Sequence, residues 1–245
     1  QANALVELLA VLGNLAGSLF VLSLLYGHGR NLGGWSWDGA LVVLGLYTLL
    51  DGFTTCLLQP NLSRIVNHVQ TGTLDYVLLK PIDSQFWLSA RPVSPWGLPG
   101  IFAGLGLIAW ALLNRGPGAP SGLPAAGPVL LSVALLLAAL VILYSLWFVL
   151  AALSIWFVKV WNATEVLRYT LVAGRYPVSA YPPALRLLFT FVLPVAFLTT
   201  VPAEAILGRV SGSWALASLG VAAAALGLSR WFWQYALRSY TSASS

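Results

Sequence analysis

An all-α membrane protein is the fold class this sequence predicts, with six transmembrane helices and a short amphipathic helix between the second and third. Three observations carry that expectation. The chain is 59% hydrophobic and only 8% charged, whereas a soluble domain is about half apolar and about a quarter charged. So few charges cannot cover a water-facing surface, and lipid must be the solvent for much of the chain. The apolar residues also gather into runs of span length. Finally, the basic residues fall unevenly between alternate connections. One transmembrane domain covering 1–245 accounts for all three, and no internal repeat or separate soluble domain is visible.

A span needs ~20 mostly apolar residues. Six runs meet that length, at about 3–26, 38–59, 96–113, 129–158, 185–203 and 214–237. The first opens the chain with no basic lead, which argues against a signal peptide, and a short cytoplasmic lead-in is expected upstream of Gln1. The third is short and begins among Pro95, Pro99 and Gly100. The fourth is long enough to tilt or to project past the bilayer. The fifth holds Pro194, which predicts a kink. Small residues form stripes: Gly13 and Gly17 in the first span, Gly100 and Gly104 in the third, and Gly220, Ala224 and Gly227 in the sixth. Such stripes let helices approach closely. In the third and sixth spans they predict packing within the chain, and in the first a dimer contact competes.

With both termini in the cytoplasm, nine basic residues lie inside (Arg64, Lys80, Arg91, Lys159, Arg168, Arg175, Arg186, Arg230, Arg238) and three outside (Arg30, Arg115, Arg209). That bias follows the positive-inside rule. Trp35, Trp37, Trp110 and Trp214 near outer ends, with Trp87, Trp96, Trp161, Trp231 and Trp233 near inner ends, agree with it. The outer connection 114–128 is a Gly/Pro linker without chemistry. The inner connections 60–95 and 159–184 are long and amphipathic. Asn61-Leu-Ser63 and Asn162-Ala-Thr164 match glycosylation sequons by chance, since both fall inside.

The connection 60–95 is the most elaborated polar part. Leu62, Ile65, Val66 and Val69 recur at helical spacing, with Arg64, Asn67, His68 and Gln70 opposite. A short helix lying on the membrane surface or docking on a partner has this pattern. The polar run after it carries Gly72, Asp75, Lys80, Pro81 and Asp83. Asp75 and Asp83 read as a solvated, salt-bridged surface.

Chemistry for catalysis is missing. There is no phosphate-binding loop of the G-x-x-x-x-G-K-[ST] type. His28 and His68 fall on opposite sides and share no metal. No Ser/His/Asp set lies at one depth, so the chain is not expected to be an enzyme or to bind a cofactor. Net charge +5 is spread over span ends and forms no nucleic-acid patch. Cys56 lies in an apolar run and reads as a small buried hydrophobe. Three acidic residues sit near or within lipid depth: Glu7, Asp51 and Glu204. Glu7 lies near the start of its span and Glu204 at the outer end of the fifth. Asp51 is the sharpest, and an intramembrane acid marks either a substrate or proton path or a packing pair with a neighbour such as Tyr47 or an arginine. Asp51, Tyr47 and Pro194 are the candidate transport-path residues.

Three stretches resemble a known family. They are Asn61-Leu-Ser-Arg-Ile-Val66 with Thr71-Gly-Thr-Leu-Asp-Tyr-Val-Leu-Leu-Lys-Pro81, then Tyr176-Pro-Val-Ser-Ala-Tyr-Pro182 with Leu193-Pro-Val-Ala-Phe197 and Val201-Pro-Ala-Glu-Ala205, and the tail from Phe232 to Ser244. The chain resembles a permease subunit of the type 2 ATP-binding-cassette (ABC) exporters, within a bacterial subfamily catalogued as a domain of unknown function. That resemblance implies six spans in the inner membrane, both termini in the cytoplasm, and pairing with a second permease as a homodimer or heterodimer. It implies that ATP and Mg are bound by a separate ATPase, docked on a coupling helix between spans two and three. The coupling residues would be Leu62, Arg64, Ile65, Val66, His68, Val69, Gly72, Asp75 and Lys80. The few intramembrane charges, for their part, suggest a hydrophobic or amphiphilic cargo.

Two other classes compete. A channel or membrane scaffold lacks any visible selectivity ring or polar pore stripe. An ion-coupled secondary transporter using Asp51 would be expected to carry an internal repeat.

Overall fold

The computed structural model describes residues 2–27, 32–89, 91–114, 124–157, 167–169 and 171–240, and of residues 2–5 and 7 the backbone alone. His28, Arg30, Arg115, Lys159, Trp161, the sequon at Asn162 and the Glu7 side chain therefore lie outside the described residues. No strand occurs among the described residues. Five helices are long and apolar enough to cross a membrane, or six if one bent pair counts as a single span.

Helix α1 (Ala2–Gly27) and helix α2 (Trp37–Phe53) are joined at one end. Tyr26 donates from its hydroxyl to the carbonyls of Trp35 (2.9 Å) and Ser36 (3.1 Å). Ser36 caps α2 by accepting from the Gly39 N–H, as expected for an N-cap serine. Gly33 and Gly34 turn the chain there with φ of +58° and +85°, a left-handed pair that glycine adopts without strain.

Helix α2 does not stop where a separate surface helix was expected. It passes through one π-turn (Thr54–Leu58) straight into α3 (Gln59–Gln70); Pro60 lies inside this run and brings no N–H to the ladder, and the Cys56 carbonyl four residues before it accepts from the Ser94 N–H at 2.8 Å. The continuous run Trp37–Gln70 has 34 residues, or about 51 Å at 1.5 Å per residue, against ~30 Å of hydrocarbon. So the run is longer than one crossing needs, and α3 continues α2 as a single rod.

Helix α6 (Leu98–Leu113) packs along α2 through glycines. A Cβ on Gly104 would lie 2.6 Å from the Gly45 carbonyl oxygen, and one on Gly52 would lie 2.6 Å from the Ile101 nitrogen. The expected intramolecular use of Gly100 and Gly104 is therefore borne out. Helix α7 (Ala126–Ala152) presents Leu135, Ala138, Ala139, Ile142 and Leu143 to the rest of the bundle. Helix α10 (Gly212–Arg238) buries Ala215, Ser218, Ala222, Ser229, Trp233 and Ala236, which recur at helical spacing on one face. Gly220 and Gly227 have no atom within 4 Å of a Cβ placed on them, which corrects the expectation that they mediate internal packing. Gly13 and Gly17 in α1 likewise meet no atom of the described residues within 4 Å of a Cβ placed on them.

The fifth apolar run is no straight crossing but bends back on itself: Arg186 near its start bonds to Ser179, and Leu207 just past its end lies beside Gly39, both at the Trp35 end. Helix α8 (Pro183–Val192) and helix α9 (Ala196–Ile206) meet at 77° around Pro194, so the kink expected from that proline is a full break. Ser132 Oγ donates to the Pro202 carbonyl at 2.9 Å and holds α9 against α7.

Residues 167–184 differ most from expectation. They were placed wholly in an inner loop. Leu167 does pack with Leu62, Trp147 and Trp233 at the α3 end. From there the chain climbs beside α2. Gly174 meets Val195 and Thr199, Val178 N–H donates to Thr200 Oγ1 (3.0 Å), and Trp35 Nε1–H donates to Ser179 Oγ (2.9 Å). Arg186 then donates to the Ser179 carbonyl at 2.6 Å. Arg175 is thus held between the two ends and Arg186 stands at the Trp35 end, away from Arg64 and Arg91 at the α3 end.

Candidate functional site

Two places gather polar side chains, and the helix ends position both. The first is the head beyond the α3 end. There α3, the ends of α7 and α10, α4 (Leu74–Leu78) and α5 (Ser84–Ser89) enclose a core of Leu62, Ile65, Leu74, Leu88, Phe148 and Trp233. Leu62, Ile65 and Val66 are 1%, 0% and 4% exposed. Their apolar face is filled by this chain's own residues. Val69 is partly buried against the same core.

The other coupling candidates stay toward solvent. Arg64 is exposed, while His68, Gly72, Asp75 and Lys80 are half-buried. Gly72 turns the chain with φ +68°. The Lys80 ammonium sits 3.7 Å from the Trp87 ring centre, and Arg91 approaches the same ring at 5.0 Å. Both contacts are cation–π pairs. His68 Nδ1 shares a 2.8 Å hydrogen bond with Thr73 Oγ1. Sequence patterning missed the apolar residues that are uncovered here: Tyr76, Leu79, Ile82 and Phe86 are 71%, 81%, 48% and 66% exposed. They lie outside the helical repeat that drew attention to α3.

A polar knot ties this tip to the spans. Gln85 is buried and donates to Tyr144 (3.2 Å) on α7 and Ser229 (3.3 Å) on α10. Trp233 Nε1–H donates to Ser84 Oγ at 3.0 Å, and Ser89 shares a 2.7 Å hydrogen bond with Tyr144. Asp83 caps α5 by accepting from the Phe86 N–H and pairs with Arg230 at 2.5 Å. Burial pushes the Asp83 carboxyl up, but the Phe86 N–H, the Arg230 guanidinium and the Gln85 N–H outweigh it and hold the group below its ordinary range. The expected salt-bridged surface acid is thus realised at Asp83.

The second place is inside the bundle. Asp51 lies 14 residues into the run from Trp37, or about 21 Å along it, level with Gly97 and Gly100 at the start of α6. It borders a cavity of about 630 Å³, its open mouth included. Asn14 and Ser18 line it from α1, Tyr47 and Asp51 from α2, and Arg168 and Arg175 from the climbing segment. A smaller space of about 390 Å³ lies on the far side of Tyr47, Asp51 and Arg168. Arg168 and Arg175 are the cations that face Asp51, and the Arg175 guanidinium stands 5.1 Å from the Tyr47 ring centre. Arg175 donates to Asn14 Oδ1 (3.2 Å) and Ser18 Oγ (3.4 Å).

Tyr47 and Asp51 are thus brought together, as the sequence suggested. Pro194 is not among them; it borders an apolar groove with Phe191, Phe197 and Trp214. Arg168 and Arg175 were read only as topology signals. Two signals pointed to them. Asn14 and Ser18 are a polar pair one helical turn apart in an apolar span, and the two arginines stand seven residues apart beside a half-apolar segment. Cys56 is buried, as expected. Among the described residues no cluster of His, Cys, Asp and Glu has the arrangement of a metal site.

A model of the family described as ABC-2 family transporter protein matches residues 12–244. Neither a curated protein nor a solved structure matches the chain.

Proposed function

Because the chain belongs to the ABC-2 family of transporter proteins, we propose that it is the permease subunit of an ATP-driven exporter. In this reading a separate ATPase binds ATP and Mg and docks on the head, and a second permease completes the path. The head faces the cytoplasm, in keeping with Arg64, Lys80, Arg91, Arg230 and Arg238 at that end, and the membrane is the bacterial inner membrane.

The observation that carries the proposal is the uncovered apolar tip Tyr76, Leu79, Ile82 and Phe86 at the far end of a span too long for the bilayer. Large apolar side chains clustered beyond the hydrocarbon mark a protein contact. Gln85 and Asp83, a few residues away, bond to α7 and α10. Motion of a docked ATPase would reach the spans through those bonds. The docking face is therefore assigned to the tip and its cationic flank, Arg64, His68 and Lys80, and not to Leu62, Ile65 and Val66.

Reconstitution of the permease with an ATP-binding-cassette ATPase from the same cell tests this reading. ATP hydrolysis should rise several-fold over the ATPase alone. An ATPase rate indifferent to the permease would favour a channel or scaffold.

A further inference from the structure

Among the described residues, more positive than negative charge lines the Asp51 cavity. Two guanidiniums, Arg168 and Arg175, line it with one carboxylate. Neither forms an ion pair with a described carboxylate; among the described residues the one ion pair within 4.0 Å joins Asp83 to Arg230. Arg175 is also under-satisfied. Its guanidinium meets the neutral acceptors Asn14 and Ser18 at 3.2 and 3.4 Å, long for a charged donor, and the Tyr47 side chain. Its Nε is buried with no partner. Arginine within a membrane-spanning bundle is costly when uncompensated, and a planar guanidinium is matched best by an oxyanion.

The rest of the wall is mixed, with the hydroxyls of Thr48 and Thr55 beside an apolar strip. Val11, Leu15 and Leu44 line it, and Trp96, 38% exposed, stands on its rim. A small inorganic anion would leave these side chains unused, whereas a chain attached to the anion would cover them. A cation or proton path through Asp51 fits less well, because two guanidiniums oppose one carboxylate.

We propose that this cavity binds the anionic head group of an amphiphile, with Arg168 and Arg175 holding a phosphate- or carboxylate-type oxyanion and the apolar strip receiving the start of its alkyl chain. Asp51 then positions the guanidiniums and turns away ligands of higher negative charge. The proposal rests on the permease reading for its meaning as a substrate site, but its test needs no ATPase.

The test is equilibrium binding of radiolabelled dodecyl phosphate to the purified permease in phosphatidylcholine nanodiscs. Arg175→Gln and Arg168→Gln should each weaken binding by about tenfold or more. Asp51→Asn should bind as tightly as the parent or tighter, and Arg186→Gln, outside the cavity, should change nothing. On the unsubstituted protein, dodecyltrimethylammonium should fail to displace the probe, and inorganic phosphate should displace it only at about a hundredfold higher concentration. Displacement by dodecyltrimethylammonium would overturn the anionic assignment even if every arginine variant failed to fold. Displacement by inorganic phosphate at the probe's own concentration would overturn the amphiphile assignment. Binding unchanged in both arginine variants would remove the cavity as the site. ATPase stimulation that persists without probe binding would sink this inference alone, and probe binding without ATPase stimulation would sink the permease reading alone.

Discussion

Trp35 donates its indole N–H to Ser179 Oγ at 2.9 Å, and that bond sets the depth of the segment carrying Arg175. The carbonyl group of Ser179 also lies 2.7 Å from where a Cβ on Gly33 would be. Both contacts fasten the segment to the α1–α2 turn, at the end opposite α3.

That relationship predicts accessibility. With Cys56 replaced by alanine, cysteines at Ala184 and at Gly72 should fall on opposite sides of the membrane. In whole cells an impermeant thiol reagent should label position 184 and leave 72 untouched. Labelling of both from the same side would return residues 167–184 to the α3 end.

The five long apolar helices were legible in the sequence because lipid demands ~20 apolar residues per crossing, and the break at Pro194 because proline cannot donate to the helix ladder. Residues 167–184 were not. Charge counting treats every arginine as a marker of the cytoplasmic side, whereas Arg175 is held within the bundle by Asn14 and Ser18. The apolar face of α3 was visible, but amphipathic spacing says that a face is covered and not what covers it. Its partners are Trp147, Phe148 and Trp233, far away in sequence. At the Asp51 site Tyr47 was within reach of local reasoning, while the arginines depended on a tertiary path.

The α2–α6 contact should discriminate between two neighbouring glycines. Gly104→Ala places a methyl group 2.6 Å from the Gly45 oxygen and the Leu49 nitrogen, whereas Gly106→Ala meets nothing within 4 Å. The first should destabilise by about 1–3 kcal/mol, and the second should be neutral or gain up to ~1 kcal/mol from helix propensity. Thermal unfolding in detergent would reveal the difference, and equal melting points would contradict the close packing.

Asp83 has a lowered carboxyl pKa in the folded chain. Its contribution to stability is therefore full above the ordinary carboxylate range, ~4, and is lost as pH falls through the lowered value. The pair is partly exposed, with Asp83 at 40%, so Asp83→Asn should cost less than ~1 kcal/mol at pH 7. The variant and the parent should converge in stability in strong acid. A stability gap that widens on acidification would contradict the sign.

Gln85 gives a separate test of transmission. Gln85→Leu leaves the apolar tip unchanged but removes the bonds to Tyr144 and Ser229, at a cost of about 1–3 kcal/mol in stability. ATPase association should persist while stimulation of hydrolysis falls. Full stimulation in this variant would show that the knot does not carry the motion.

The most direct measurement of the central claim is co-purification of the ATPase with Leu79→Asp. Leu79 is 81% exposed and Ile65 is 0% exposed, so the two positions separate docking from folding. At a docked hot spot an apolar side chain is worth ~2 kcal/mol, and a charge placed there should weaken association by more than about tenfold. Leu79→Asp should therefore express and insert normally yet lose the ATPase. Ile65→Asp, which puts a charge into the core of the head, should fail to accumulate as a folded protein. Undiminished ATPase recovery with Leu79→Asp, at normal permease expression, would contradict the assignment of the tip as the docking surface.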